Sequence, residues 1–209
     1  APTTTLVAIS LGGNTVGSVG TDNDNNSVQN CRVRRALFGI YSAGVSVANP
    51  NTGTRIEENQ LDSTGADSIG RVGILLFNDN GAQIVENSVG GILSSASADS
   101  VGIGLGVGAA DTQFSNTAAT SGGITNAVVT RNRINGVAND NTWGAVGIAV
   151  AGDTGGPNTI FNNLITGVIS DATSPDIVAG IFVAGVTGST TRLYYNSISM
   201  TGDRSALTT

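Results

Sequence analysis

The sequence predicts an all-β solenoid of about six stacked coils, each of three short strands, tied together by a ladder of asparagines. Two phased motifs and a composition predict it. A hexapeptide of aliphatic, two variable residues, Asn, one variable residue and a second aliphatic recurs along the chain. It runs from Ile56 to Leu61 around Asn59, Ile84 to Val89 around Asn87, and Val129 to Ile134 around Asn132. It returns from Ile160 to Ile165 around Asn163 and from Leu193 to Ile198 around Asn196, and an earlier copy, Val28 to Val33, carries Cys31 in the Asn slot. A Gly-Ile pair follows most copies at a near-constant distance: Gly39-Ile40, Gly73-Ile74, Gly102-Ile103, Gly147-Ile148 and Gly180-Ile181. Two motifs in fixed phase are the mark of a solenoid. The composition agrees: hydrophobic residues are 39% but aromatics only 4%, with 30 Gly. Short aliphatic strands need few aromatics, and frequent tight corners need Gly and Asn.

The repeat runs without a linker, so residues 1–209 read as one domain: an N-terminal strand or edge over 1–20, coils over 21–202 and a tail over 203–209. From Thr3 to Leu11 the chain reads as a strand, with Leu6, Val7, Ile9 and Leu11 apolar and no helical period, and at the other end Leu193 to Met200 reads as a full ladder strand. The ladder positions Cys31, Asn59, Asn87, Asn132, Asn163 and Asn196 are spaced by 28, 28, 45, 31 and 33 residues. About 30 residues suffice for three strands and three corners. Ile56 and Leu61 cannot face the same way along one straight strand, because alternate residues point to opposite faces. A corner near Asn59 must reset the register, and Asn tolerates the left-handed backbone that a corner requires. The Gly-Ile pairs lead into apolar runs such as Ile74-Leu75-Leu76-Phe77, Ile148-Ala149-Val150 and Ile181-Phe182-Val183, which read as the second strand of each coil. The third strand is less regular, with Val45-Ser46-Val47 as candidate.

Turn-rich stretches such as Asn78-Asp79-Asn80-Gly81 and Gly152-Asp153-Thr154-Gly155-Gly156 return the chain to the next ladder strand. The long spacing of 45 places extra loops at Ser94 to Ser100 and Asp111 to Gly123, read as a tolerated insertion. With coils about 4.8 Å apart, six of them make a rod on the order of 30 Å long. Equivalent Asn residues then stack, each amide donating to the next carbonyl.

These motifs resemble the parallel β-helix repeat of right-handed, pectate-lyase-like solenoids, over roughly residues 20 to 202. The right-handed winding is what the resemblance implies. Similar repeats occur in large secreted or surface proteins of bacteria, in carbohydrate-active β-helices, and in periplasmic β-helix proteins of copper-enzyme maturation. The resemblance is specific for fold and poor for function.

The chain has 15 acidic residues against 9 basic ones, a net charge of -6, and every basic residue is Arg. It cannot offer the dense cationic surface that nucleic acid needs. Arg32, Arg34 and Arg35 cluster, but alternation splits them between faces, so a solvated patch is expected. One cysteine excludes an intramolecular disulfide, and Cys31 reads as a small buried side chain. No apolar run approaches the roughly 20 residues of a membrane span. Ala1-Pro2-Thr3-Thr4-Thr5 reads as the start of a processed chain, so a secreted or cell-surface location is expected.

With no His, a Ser-His-Asp triad and His-ligated metals are excluded, and one Cys with one Met argues against copper handling. The resemblance to polysaccharide lyases and galacturonan hydrolases would require a basic residue or several acids converging on one face. The Asp residues here sit mostly in turns, where corner capping is their expected role. Glu58, Glu86 and Arg131 share the slot before the ladder residue and could form an ion pair or a cation site, with a solvated row as the plainer expectation. No cofactor is expected. The oxygen-rich turns Asp22 to Asn26 and Asn78 to Gly81 could hold calcium, although neither completes a calcium-loop consensus. Trp143 reads as core or edge packing, and of Tyr194 and Tyr195 one must point outward.

No catalytic residue can be named. The expected function is a non-catalytic extracellular structural or adhesive solenoid. The alternative is a carbohydrate-active β-helix, either an acidic-polysaccharide lyase or a polysaccharide-binding module. Strand edges at the ends of a coil stack need cover, and no lid is evident in the sequence. Leu6, Ile9 and Leu11 are therefore expected to meet Leu193, Tyr195 and Ile198 of another copy, head to tail, in a surface filament or layer.

Overall fold

The computed structural model describes residues 6–13, 15–16, 19–94, 97–107 and 122–200. Of the loops expected at Ser94 to Ser100 and Asp111 to Gly123, residues 95, 96 and 111–121 lie outside the described residues, as do the start of the N-terminal strand at 3–5 and the tail 203–209, while Ser94 and Ser100 end and begin strands instead. The described chain is all-β, with three sheets of short parallel strands, one 3-10 turn at Gly65–Asp67 and no α-helix.

The chain visits the sheets in rotation. The first sheet contains Val7–Leu11, Phe38–Ala43, Val72–Phe77, Ser100–Leu105, Ala145–Gly152 and Val178–Gly185. Its register aligns Ile9, Ile40, Ile74, Ile103, Ile148 and Ile181. Three two-residue strands, Asn51–Thr52, Asp79–Asn80 and Ile124–Thr125, join it through Gly152. The second sheet aligns Val28, Ile56, Ile84, Val129, Ile160 and Leu193. The third aligns Leu61, Val89, Ile134, Ile165 and Ile198.

The hexapeptide therefore straddles two sheets. Its first aliphatic belongs to the second sheet, its last to the third, and a corner between them turns both into one interior. That corner was expected near Asn59, but its left-handed residue is not the ladder Asn. It is the residue before: Asn30, Glu58, Glu86, Arg131, Asn162 and Tyr195 have φ between 52° and 57°. The reason is directional. The ladder amide must point inward to stack, so the sharp turn falls on its neighbour, whose side chain points to solvent. A non-glycine residue in this conformation costs roughly 1–2 kcal/mol, which the hydrogen bonds at the ladder residue offset.

The Gly-Ile strands form the first sheet, as expected of them. A methyl group added to Gly102 would lie 2.9 Å from Ile134 Cγ2, and one on Gly147 would lie 2.6 Å from Ile165 Cγ2. The glycine makes room for the last aliphatic of the next hexapeptide, so the two motifs are two sides of one contact. Two expectations are corrected. Val45-Ser46-Val47 is not a strand; Ser46 and Asn49 form an isolated antiparallel bridge in a turn. The third strand begins directly behind the ladder residue, as in Ser88–Ser94, because the corner has already been turned. Likewise Leu193 to Met200 is not one strand but two, Thr191–Tyr194 and Ser197–Ser199, broken at Tyr195-Asn196.

The main core lies between the three sheets and is built from the aligned aliphatics. A second apolar cluster, with Phe38, Tyr41, Val72, Leu75, Val101, Val146 and Ala149, lies on the opposite face of the first sheet. That sheet is thus buried on both faces, and its strands read as continuous apolar runs for that reason. Val107, just behind the strand Ser100–Leu105, is buried in this second cluster.

Candidate functional site

The ladder is continuous from Asn59 to Asn196. Asn59 Nδ2 donates to Asn87 Oδ1 at 2.9 Å, Asn87 to Asn132 at 2.9 Å, Asn132 to Asn163 at 3.0 Å and Asn163 to Asn196 at 2.9 Å. Each of these Oδ1 atoms also accepts the backbone N–H of the preceding ladder residue, between 2.9 and 3.1 Å. A second Nδ2 hydrogen reaches back to a strand carbonyl, such as Val28 O from Asn59 and Ile56 O from Asn87. Asn59, Asn87, Asn132 and Asn163 are buried, so an unmade bond there leaves a desolvated polar group.

Cys31 occupies the first slot and is half-buried rather than buried. Its N–H donates to Asn59 Oδ1 at 3.0 Å, and its thiol donates to Gln29 O at 3.3 Å. Asn132 and Asn163 donate to the carbonyl two residues back in the same way. Sulfur thus replaces the donor of the ladder amide. It supplies no strong acceptor.

The outward row at this corner carries Glu58, Glu86 and Arg131. Arg131 Nε meets Glu86 Oε1 at 2.5 Å, so the pair is an ion pair, and both side chains are substantially exposed. Arg55 pairs with Glu57 on the adjoining strand. With Gln83, Val128 and Thr130, these residues line an open groove of about 320 Å³. Arg34 and Arg35 both engage Asp67, and the Arg35 hydrogen bond foremost holds that carboxyl below its usual range. Arg32 is exposed and bridges Gln60 through its backbone.

A second buried polar corner joins the first sheet to the second. Asp79 aligns with Asn51 and is fully buried. Thr54 Oγ1 donates to its Oδ2 at 2.6 Å, while its Oδ1 has no hydrogen-bond partner. Burial pushes this carboxyl up to about 7, the Thr54 hydroxyl opposes that rise, the charge of Asp24 adds to it and the Ala82 N–H opposes it. Sequence reading placed Asp79 among the turn-capping acids and missed its burial. A turn-rich tetrapeptide carries no sign of which side chain faces inward. Other acids do cap corners: Asp99 Oδ1 accepts Gly144 N–H at 2.6 Å, and Asp24 Oδ1 accepts Thr52 N–H at 2.6 Å.

At the C-terminal end, Leu193 is 46% exposed and Ile198 47%, although every residue aligned with them from Ile56 to Ile165 is buried. Ile181, Leu193, Tyr194, Tyr195, Asn196 and Ile198 line an open apolar hollow there. Tyr194 and Tyr195 are both exposed, not one of the two, because Tyr195 stands at the left-handed corner where alternation stops. At the other end Leu6 is exposed, while Ile9 and Leu11 are half-buried against the main core. Trp143 is half-buried, and its carbonyl accepts the Ser170 hydroxyl.

Among the described residues no group of three or more His, Cys, Asp or Glu side chains is placed to hold a metal. Among the described residues no helix is long and apolar enough to cross a membrane. No family model, curated protein or solved structure matches this chain.

Proposed function

We propose that the chain is a right-handed parallel β-helix of six coils whose rod is itself the product: a non-catalytic, secreted or surface-exposed structural module that joins copies of itself end to end. The observation that carries this reading is the contrast along the aligned aliphatics. They are buried at every interior position and about half exposed at Leu193 and Ile198. The hollow they form continues the same stacking surface used between every pair of neighbouring strands inside. The first sheet supports a head-to-tail joint, because Val7–Leu11 and Val178–Gly185 are its two terminal strands of the Gly-Ile series. Leu6, Ile9 and Leu11 of one copy would then meet Leu193, Tyr195 and Ile198 of the next. Heterologous contacts of this kind propagate without closing. The reading needs no cofactor.

Sedimentation over a wide concentration range tests it. The expected outcome is growth beyond the 20.8 kDa monomer, abolished by Ile198→Arg. A chain that stays at monomer mass throughout overturns self-association. The carbohydrate-active alternative draws on one observation, the polar groove lined by Arg55, Glu57, Glu58, Glu86 and Arg131. Incubation with acidic polysaccharides separates the two readings. Unsaturated product that is lost in Arg131→Ala would replace the structural reading with a lyase.

A further inference from the structure

The corner between the first and second sheets holds a carboxyl group where the aligned position has a carboxamide. Asn51, the register partner of Asp79, is satisfied at both ends of its side chain. Its Oδ1 accepts Asn23 N–H at 3.2 Å and its Nδ2 donates to Ser42 Oγ at 3.1 Å. Asp79 has the same shape and no nitrogen. Its Oδ2 takes the Thr54 hydroxyl, which ties the Asp79 strand to the neighbouring pass of chain, and its Oδ1 is buried without a partner. Among the described residues no cation offsets it: the one charged group acting on it is Asp24, an anion whose own Oδ1 is held by Thr52 N–H. The Thr54 hydroxyl and the Ala82 N–H favour the charged form, but a buried carboxylate with one oxygen unpartnered and no counter-charge is disfavoured by more, and the group takes up a proton instead.

We propose that Asp79 is a proton-operated latch at this corner, closed while its carboxyl is neutral and loosened when it ionises, so that the corner opens locally as the pH rises. The asparagine ladder at the next corner contains no titratable side chain from Asn59 to Asn196, and serves as the pH-independent reference. The latch does not depend on self-association.

The sign follows from linkage. The carboxyl is held near 7 in the closed corner against 3.8 when free, so the closed corner binds the proton more tightly. Its extra stability is complete below about pH 4, declines as the pH rises towards about 7, and is constant above that. Amide hydrogen exchange on the full chain, corrected for the intrinsic pH dependence of exchange, reads this directly. Protection at residues 51–54, 79–83 and 124–127 should fall about tenfold per pH unit between about 4 and 7. Protection at the Asn87 and Asn132 corner should stay flat. Asp79→Asn, which copies the side chain at Asn51, should remove the dependence. Asp24→Asn should leave it in place but move its upper limit to lower pH, a shift that a merely structural role for Asp79 does not produce. Flat protection in the natural chain, or an unchanged profile in both variants, overturns the latch.

Discussion

The two ends of the stacked parallel sheets use equivalent positions differently. At the N-terminal end the inward aliphatics Val28 and Val33 are 6% and 4% exposed, nearly as covered as those in the interior. At the C-terminal end their counterparts Leu193 and Ile198 are about half exposed, and Tyr195 beside them is 87% exposed. The ladder residue differs in parallel. Cys31 has no amide oxygen to offer a preceding strand, whereas Asn196 accepts twice from Asn163 and has no acceptor ahead of its own N–H among the described residues. The ladder therefore has a direction: it begins at Cys31, where sulfur replaces the amide, and is left open at Asn196. Among the described residues the Cys31 side is covered, while the Asn196 side presents an apolar surface and a backbone N–H without an acceptor. In a head-to-tail joint the N-terminal partner would contribute mainly the free edge of Val7–Leu11, because its other aliphatics are already covered.

The largest expected effect breaks the interior of this comparison. Asn132→Leu removes the acceptor for both Asn87 donors in a buried site and should destabilise by about 3–5 kcal/mol. Asn196→Leu removes the same acceptor from Asn163 at the half-exposed end, where water can replace it, and should cost about 1–2 kcal/mol. Denaturant unfolding at low concentration, with the chain monomeric, measures both. Equal losses would mean that the C-terminal ladder position is as well enclosed as the interior one, and the contrast between the ends would disappear.

A smaller effect sharpens the difference between the covers. Val33→Ala should cost about 2 kcal/mol, because two fully packed methyl groups are lost. Ile198→Ala removes more atoms yet should cost only about 1 kcal/mol in the monomer, since much of that surface is already in water. Thermal unfolding of the pair side by side gives the order, and a reversed order contradicts the asymmetry. The smallest effect concerns where the ladder starts. Cys31→Asn supplies an amide donor to Asn59 Oδ1 and should stabilise by about 1 kcal/mol. A loss of stability in that variant would show that the slot is shaped for sulfur, not vacant of an amide.

Much of the fold was legible in the sequence, and particular residues show why. Ile56, Asn59 and Leu61 recur in phase because residues stacked on one another must meet the same constraint in every pass, and such a constraint leaves a period. The Gly-Ile pairs were legible for the same reason, although their meaning was not: that Gly102 faces Ile134 is a contact between segments 32 residues apart. The left-handed residue was misplaced by one position, onto Asn59 instead of Glu58. Asn and its neighbour are both compatible with a turn, and only the inward direction of the stacked amide separates them. Asp79 was read as another turn acid because Asn78-Asp79-Asn80-Gly81 has the chemistry of an exposed turn whichever side chain faces inward.

The sequence by itself determined the periodic features: an all-β chain, parallel stacking, the ladder residues and the glycine-relieved strands, each repeated because neighbouring passes impose identical local demands. The tertiary structure alone decided the features that occur once. These are the covered Val28 and Val33 against the open Leu193 and Ile198, the second apolar cluster behind the first sheet, and the buried Asp79 Oδ1 without a hydrogen-bond partner. Burial depends on what lies across a residue from distant parts of the chain, and a feature without repetition has no period by which to announce itself.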